Sequence, residues 1–315
     1  MEPITFSPLY MTRVWGGRSM ESVYQRQLPD EQPYGESWEM SDREDEQSIV
    51  NHGPLAGKSL HDLWINHREE IFGSGLTGER FPLLIKILDA RDDLSIQVHP
   101  PVEMANELGG EAKTEMWYIA DCNPGAKLYL GFKDGVTKED FAASLQDGSV
   151  ADKVHAIEPK KDQSIFIPSG RLHAIGAGFL IYEIQQNSDT TYRVFDWNRL
   201  GLDGTPRDLH VDQSMKSIDF DDCEPGMDIP DGETIATCSY FIIDQLEGKT
   251  RIDSRDHFSI LTVVRGTLTS PGGRIFSAGD FLLHPREGSP LLASSDAKIL
   301  RTQIPTNCED HRGSH

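Results

Sequence analysis

The sequence predicts a mainly β protein with two β-sandwich or jelly-roll barrel halves and a few helical insertions. Short β-type runs separated by Gly and Pro turns recur in both halves of the chain, which is typical of sandwiches and barrels. Between the halves, residues 202–231 are acidic, rich in Gly and Pro, and weakly periodic. The 315 residues, 37% of them apolar, suffice for one large domain or two medium ones. We predict a first domain over residues 1–200, a linker or cover over 201–233 and a second domain over 234–315.

The first half opens with three periodic segments. Residues 35–41 alternate apolar and polar side chains, which predicts a strand. Residues 60–72 carry apolar side chains at roughly helical intervals, so we expect a helix that packs on another element. Residues 81–88 form an apolar run broken by Lys86, which predicts a buried strand.

The rest of the chain predicts further strands and two short helical segments. One helical turn is expected near residues 104–108. Thr137, followed by Glu139 and Asp140, forms a capping pattern that predicts the start of a helix over 137–145. Strands are predicted at residues 96–99, 116–119, 128–132, 164–168, 179–185, 239–245, 258–264, 266–269, 281–284 and 291–293.

Four polar side chains in and around the 96–99 strand predict a metal site. Successive side chains of a strand alternate faces, so Gln97 and His99 point the same way. Glu115 begins the next predicted strand and can be set against that polar face. A fourth ligand is expected from His173, which follows a Pro-Ser-Gly turn. Imidazole nitrogen and amide or carboxylate oxygen suit Zn²⁺ or a similar divalent ion.

Composition excludes several classes of function. The net charge of −21 and the pI near 4.8 argue against a nucleic-acid partner, because phosphates call for a basic surface. No apolar run approaches the ~20 residues of a membrane helix, and the first ten residues lack a signal-peptide pattern, so we predict no membrane partner and a cytoplasmic protein. Four widely spaced cysteines are interpreted as ordinary thiols, and the polar tail, residues 306–315, is predicted to be frayed.

Several spaced motifs together resemble a known family. The Pro168-x-Gly170-x-x-His173 spacing is similar to the second cupin motif, and Gln97-x-His99 with Glu115 resembles the first. Over nearly its full length the chain resembles the short bacterial form of type I mannose-6-phosphate isomerase. The matching segments are residues 15–17, 35–39, 82–86, 94–100, 110–118, 172–178 and 183–197.

The resemblance implies a fold, a cofactor and a reaction. It implies a bicupin whose first domain is catalytic and binds one Zn²⁺ per chain. It implies that the metal is held by Gln97, His99, Glu115 and His173. It also implies interconversion of mannose 6-phosphate and fructose 6-phosphate, with Arg193 in the active site. The later half has cupin-like Gly turns without paired ligands, so it is expected to be a degenerate, metal-free cupin.

Aldose–ketose isomerisation assigns hypothetical roles to the remaining polar residues. The reaction moves a proton between C2 and C1 through a cis-enediolate, so it needs a base, a stabiliser of negative charge and an anchor for phosphate. We expect Arg193 to stabilise the enediolate, and Lys113 and Lys86 to contact substrate oxygens or to assist proton transfer. Glu183 or Asp189 could orient these cations in the substrate pocket or act as the base.

Two other functions compete with the isomerase. A bicupin oxygenase of the quercetinase kind would need a redox metal and usually more His ligands than His99 and His173. A non-catalytic sugar-phosphate-binding cupin would keep the metal without turnover, which the presence of Lys113 and Arg193 argues against. The expected partner is a small sugar phosphate, and the expected assembly is a monomer or a weak homodimer.

Overall fold

The computed structural model describes residues 1–305, and their fold is mainly β, as predicted. The predicted frayed tail and Cys308 lie outside the described residues. The early strands are β1 Phe6–Ser7, β2 Leu9–Gly17, β3 Tyr34–Met40, β4 Ile49–Val50, β5 Leu83–Ala90, β6 Ile96–Val98, β7 Glu115–Cys122, β8 Leu128–Phe132, β9 Val154–Ile157, β10 Ser164–Ile167, β11 His173–Ile175, β12 Phe179–Gln186 and β13 Tyr192–Phe195. The later strands are β14 Thr234–Thr237, β15 Ile242–Glu247, β16 Arg251–Ile252, β17 Ser259–Arg265, β18 Thr267–Thr269, β19 Ile275–Ser277, β20 Phe281–His284, β21 Leu291–Ala293 and β22 Lys298–Gln303.

The helices are short and connect the strands. They are α1 Ser19–Tyr24, α2 Leu60–Asn66, α3 Arg68–Ile71, α4 Val102–Ala105, α5 Lys138–Asp147 and α6 Val211–Ser217, with a 3₁₀ turn over Val150–Lys153. The longest, α5, has the predicted capping box, in which Thr137 and Asp140 bond each other's backbone N–H. Across residues 1–305 no helix is both long and apolar enough to span a membrane.

The described chain forms two compact units. The first unit comprises Tyr10–Trp38 and Leu84–Asp228. The second unit comprises Met1–Leu9, Glu39–Leu83 and the residues from Ile229 onward. Both units are discontinuous in sequence, so their bounds differ from the predicted domain ranges 1–200, 201–233 and 234–315. The roles given to those ranges, a catalytic domain, a linker or cover and a second cupin, stay predictions.

The first unit is built from two facing sheets. A six-stranded sheet has the order β10-β7-β12-β5-β2-β3, and a five-stranded sheet has the order β13-β6-β11-β8-β9. Trp117, Ile165 and Ile181 of the larger sheet share one buried cluster with Leu128 and Leu130 of the smaller sheet. This apolar layer fixes the distance between the sheets, so side chains that project from either inner face meet in a defined place.

Helices cover the outer face of the five-stranded sheet. Ile96 and Val98 of β6 lie in a buried cluster with Val194 of β13 and Phe141 of α5. Because side chains alternate along a strand, burial of Ile96 and Val98 on this outer side turns Gln97 to the inner side. The packing of β6 therefore directs its polar face, with Gln97, to the interior of the unit.

The second unit has an apolar interior. It contains a five-stranded sheet in the order β14-β15-β22-β17-β20 and a four-stranded sheet in the order β16-β21-β18-β19. Leu261, Leu282 and Ile299 of the first sheet share a buried cluster with Leu268 and Leu291 of the second. This cluster consists of aliphatic residues and one aromatic residue, Phe276.

Most predicted elements are confirmed, and the differences have local causes. Strands β8, β20 and β21 have the predicted bounds. The single helix predicted over residues 60–72 is wrong, because the chain leaves helical geometry at His67 (φ −128°) and restarts as α3. The sequence did not predict β22 or α6. Helix α6 lies inside the predicted cover segment and has no side-chain cap at its N-terminus, so it lacks the usual start signal.

Candidate metal centre and substrate pocket

A row of polar side chains crosses the five-stranded sheet of the first unit. Strand β6 pairs with β11 on one side and with β13 on the other. In this register Gln97 lies opposite His173 and also opposite Arg193. Directly opposed side chains of neighbouring strands share one face of a sheet. The sheet therefore brings Gln97 together with His173 and Arg193, which are distant from it in the sequence.

His99, Glu115 and His173 form a candidate metal site. One ligand atom of each lies within 4.8 Å of the others, and all three residues are buried. The Nε2 atoms of His99 and His173 lie 3.6 and 3.5 Å from the two carboxylate oxygens of Glu115. Among residues 1–305 this is the one group of at least three His, Cys, Asp or Glu side chains with such spacing.

Both imidazoles are oriented for metal binding by their other nitrogen. Nδ1 of His99 lies 2.9 Å from the carbonyl oxygen of Thr190, and Nδ1 of His173 lies 2.9 Å from that of Arg171. A carbonyl accepts only from N–H, so the proton is on Nδ1 and the lone pair is on Nε2. Burial lowers the pKa of both imidazoles, which keeps them neutral. Nε2 of His99 is buried without a hydrogen-bond partner, as expected for a metal ligand.

The turn before His173 depends on Gly170. Its φ of +91° is in the left-handed region, where a residue with a side chain is strained. The N–H of Gly170 donates to the carbonyl oxygen of His99 over 2.9 Å. The Pro-Ser-Gly turn that leads into His173 is thus hydrogen-bonded to the backbone of His99, the other histidine of the triad.

Gln97 lies beside the triad. Its amide nitrogen is 3.3 Å from Nε2 of His173, and its oxygen accepts a hydrogen bond from Ser95 over 3.2 Å. A half-turn of the amide about the Cγ–Cδ bond would direct the oxygen to the triad, because the two ends of the amide have nearly the same shape. Gln97 therefore has the position and the donor atom of a fourth ligand.

Lys113 is buried between two carboxylates next to the triad. Its Nζ lies 3.0 Å from Glu115 and 3.9 Å from Glu183. Burial opposes the ammonium charge, but Glu115 and Glu183 outweigh it and hold the pKa of Lys113 above its ordinary value. Burial and the neighbouring Glu115 raise the pKa of Glu183, whose Oε1 accepts a hydrogen bond from Trp117 over 3.2 Å.

Lys86 is surrounded by three carboxylates. Its Nζ lies 3.5 Å from Glu183, 3.7 Å from Glu36 and 4.0 Å from Asp189. The Nζ is also 5.0 Å from the centre of the Trp38 ring, within cation–π distance. Lys86 is 3% exposed, so its charge is compensated by the protein and not by water.

Glu36 is a site residue that the sequence did not reveal. The alternation over residues 35–41 predicted a strand, but Glu36 and Glu39 are only 8% and 7% exposed, because β3 is covered on both faces. Arg13 donates two hydrogen bonds to the Glu36 carboxylate, over 2.8 and 3.2 Å, and Trp38 donates a third over 2.6 Å. Burial alone would raise the pKa of Glu36, but the charges of Lys86 and Arg13, with these hydrogen bonds, lower it to about 2.

These groups line one cavity of about 370 Å³ in the first unit. Four of the predicted site residues near the triad line it, Gln97, Lys113, Lys86 and Glu183. Its remaining lining residues are Arg13, Trp15, Glu36, Leu88, Leu94, Ser95, Asp189, Thr191, Arg193 and Arg207. A second cavity of similar volume, about 380 Å³, is lined by none of the predicted site residues, so the chemistry belongs to the first.

The predicted site residues fall into two groups. Gln97, His99, Glu115 and His173 meet at one point, with Lys113, Lys86 and Glu183 beside them. Asp189 has a half-exposed side chain near Lys86, and Arg193 lies further along the wall of the cavity. Burial and the nearby charge of Arg207 lower the pKa of Arg193.

Comparison with known proteins places this geometry in context. The family model described as phosphomannose isomerase type I, catalytic domain, matches residues 4–145. The mannose-6-phosphate isomerase ManA of Bacillus subtilis is 35% identical over 298 residues, which cover 90% of this chain and 93% of ManA. The probable mannose-6-phosphate isomerase GmuF of the same organism is 38% identical over 284 residues, covering 88% and 89%.

A solved structure has the same fold over nearly the full length. It is the mannose 6-phosphate isomerase from Bacillus subtilis, with a TM-score of 0.86 and 31% identity, covering 96% of this chain and 100% of that one. A putative mannosephosphate isomerase from Archaeoglobus fulgidus, at 21% identity and a TM-score of 0.77, also shares the fold.

Proposed function

The chain belongs to the type I phosphomannose isomerase family, and from this premise we propose that its 370 Å³ cavity interconverts mannose 6-phosphate and fructose 6-phosphate. The observation that carries the proposal is the buried group of His99, Glu115 and His173, with two lysine ammoniums and a carboxylate directly beside it. This arrangement supplies cations and a base where a sugar oxygen would develop negative charge.

The donor set supports Zn²⁺ as the metal, with one ion per chain. Gln97, His99, Glu115 and His173 offer two imidazole nitrogens, a carboxylate and an amide oxygen, which are ligands that zinc accepts. When bound, the ion supplies Lewis acidity toward a sugar oxygen without redox chemistry. The same donor set speaks against an oxygenase, because a redox metal is usually held by more histidines.

The lysines and Arg193 stabilise charge on the substrate. Lys113 and Lys86 lie beside carboxylates at the cavity, where their ammonium groups can donate hydrogen bonds to the oxygens at C1 and C2. Arg193, opposite Gln97 in the sheet, can reach the same substrate from the other side of the ligand row and stabilise the enediolate charge. Fixed cations in a buried pocket stabilise a developing anion without reorganising when the charge forms.

Glu183 is the proposed base. Its Oε2 lies 3.5 Å from Lys86, and its Oε1 is held by Trp117, so the carboxylate is fixed at the wall of the cavity. In the forward direction it takes the proton from C2 of the open-chain aldose and returns it to C1. The hydroxyl proton at O2 leaves while O1 gains one, which converts the aldehyde to a hydroxymethyl group and C2 to the ketone. Asp189, half exposed at the cavity edge, fits an orienting role for Lys86 better.

We propose that the remaining parts of the chain support this site without a second metal. The buried cluster between the two sheets of the second unit is apolar, whereas a metal would need nitrogen or oxygen ligands. A cytoplasmic location and a monomer or weak homodimer are proposed with it. A small sugar phosphate is the proposed partner.

The test is an NMR time course of the zinc-loaded protein with mannose 6-phosphate in D₂O. We expect fructose 6-phosphate to form, with deuterium entering at C1, and we expect a chelator-treated control to be inactive until zinc returns. Broadening of the sugar signals without conversion would instead support a non-catalytic sugar-binding cupin. Replacement Glu183→Gln should stop deuterium exchange while zinc content is unchanged; exchange at the wild-type rate would refute Glu183 as the base.

A further inference from the structure

A buried glutamine lies next to the metal ligands on the inner face of the six-stranded sheet. Gln185 is opposite Glu115 in the pairing of β12 with β7, and it follows Glu183 by two residues. Opposed side chains of neighbouring strands share one face of a sheet, and so do side chains two residues apart on one strand. Gln185 therefore projects from the same face as Glu115 and Glu183, where it is fully buried.

The amide of Gln185 holds the turn that follows β12. Its Nε2 donates to the carbonyl oxygens of Gln186 and Ser188, over 2.8 and 2.5 Å. Carbonyl oxygens only accept, so the amide nitrogen faces them and both of its N–H donors are used on one turn. Within residues 1–305 its Oε1 is buried without a hydrogen-bond partner. The hydrogen bonds of this side chain thus go to the turn of residues 186–190.

The 186–190 turn carries two groups that contact the site. The carbonyl oxygen of Thr190 accepts a hydrogen bond from Nδ1 of His99 over 2.9 Å. The carboxylate of Asp189 lies 4.0 Å from Nζ of Lys86. The partner of the second nitrogen of a ligating imidazole fixes its tautomer and the orientation of its ring. The position of the 186–190 turn therefore decides how His99 presents Nε2 to a metal.

Further hydrogen bonds join the 186–190 turn to the loop before β7. Oγ of Ser188 donates to the carbonyl oxygen of Glu111 over 3.2 Å, and the N–H of Glu111 donates to Oγ1 of Thr190 over 2.9 Å. Glu111 is exposed, whereas Gln185 is buried in the sheet that carries Glu115. Gln185 therefore supplies the buried connection between this turn and the sheet.

We propose that Gln185 is a positioning residue for the metal site, and that it acts through the 186–190 turn on the imidazole of His99. His173 provides a comparison within the molecule. Its Nδ1 bonds to the carbonyl oxygen of Arg171, which lies in the turn before β11. Loss of the Gln185 amide should therefore loosen one imidazole and leave the other in place. The metal in this proposal rests on the proposed function, but the hydrogen bond of His99 does not.

The test compares Gln185→Met with Gln163→Met in the zinc-loaded protein. Met is unbranched and close to Gln in size, so the first change removes the two donors with little change in packing. The side chain of Gln163 also holds a turn of the first unit, accepting from the N–H of Lys160 over 2.7 Å. Among the described residues Gln163 forms no hydrogen bond with a site residue, so Gln163→Met is the matched control.

Three quantities are measured on each protein. ¹⁵N NMR gives the rates at which the Nδ1–H protons of His99 and His173 exchange with solvent. Chelator competition gives the zinc affinity. Melting temperatures check that each variant is folded. General destabilisation would accelerate exchange at both imidazoles, whereas a role through the 186–190 turn accelerates it at His99.

In Gln185→Met the Nδ1–H of His99 is expected to exchange about 10-fold faster or more, because two hydrogen bonds that hold the turn are lost. The rate at His173 should change less than about twofold, since local openings of separate segments are independent. Zinc should bind about 10-fold more weakly, as is typical when the partner of a ligating imidazole is disturbed. Gln163→Met should leave all three quantities at their wild-type values. Unchanged exchange at His99, or equal acceleration at both histidines, would overturn the proposal.

Two further outcomes are kept separate from these. If the wild-type protein neither binds zinc nor turns over mannose 6-phosphate, the proposed function fails, while the exchange rates need neither metal nor substrate and still test Gln185. If Gln185→Met does not fold, the wild-type protein alone provides the test. The side-chain amide protons of Gln185 and the Nδ1–H of His99 should then have protection factors within about threefold of each other, because one opening of the turn exposes both. A difference of about tenfold or more would refute the connection.

Discussion

Replacement of Glu36 by Gln should remove a pH-dependent part of the stability of the first unit. Glu36 has an ordinary pKa of 4.5 that Lys86, Arg13 and Trp38 lower to about 2. A lowered pKa contributes stability above the unfolded value, and the contribution is lost as the pH falls through the folded value. The shift corresponds to about 3 kcal/mol at pH 7, of which about 2 kcal/mol is lost by pH 3.

The assay is the melting temperature of metal-free wild type and of Glu36→Gln, each at pH 7 and pH 3. The metal-free form is used so that protonation of the ligands does not enter the comparison. Gln keeps the shape of Glu36 and an acceptor for Trp38, so the comparison isolates the charge. For a unit of this size the wild-type advantage should shrink by roughly 4–8 °C between the two pH values. An advantage that is equal at both pH values would refute the argument that buried cations hold Glu36 ionised.

Three other replacements test separate parts of the structure. Arg193→Ala should lower kcat by about 100-fold or more with unchanged zinc content, measured by metal analysis; equal losses of both would contradict a role in charge stabilisation. His173→Gln should weaken zinc binding in a chelator competition by more than about 100-fold, whereas His155→Gln, a partly buried histidine of the same unit, should not. Gly16→Ala should lower the melting temperature by roughly 2–10 °C, because its Cβ would overlap the backbone next to and within β3. Gly226→Ala is the control, since its Cβ meets no atom within 4 Å. Equal melting temperatures of the two variants would show that β2 and β3 can separate.

The sequence predicted the residues that meet at the candidate metal site because their signals are local. Strand alternation places Gln97 and His99 on one face, and the Pro-x-Gly turn marks the approach to His173. Each signal depends on a few neighbouring residues, and the sheet then brings the ligands together through the pairing of β6 with β11. The same holds for β8, β20 and β21, whose bounds follow from short apolar runs between turns.

The sequence did not predict the residues whose roles depend on distant pairing. Period-two alternation identifies two faces of β3 but not whether both are covered, so it did not reveal that Glu36 is buried. Arg13 acquires its role only through Glu36, which lies 23 positions away in the sequence, so no local pattern reveals the pair.

The buried charges of the first unit form a chain in which signs alternate. Contacts of 4.0 Å or less run from Arg13 to Glu36, Lys86, Glu183, Lys113 and Glu115 in turn. Counted with every group ionised, the three cations and three anions of this chain of contacts cancel, although each group is charged. A single replacement breaks this parity and leaves a neighbour without its counter-charge, whereas a paired replacement restores it. Redesign of the specificity of this pocket should therefore change these residues two at a time, an anion together with the cation it contacts.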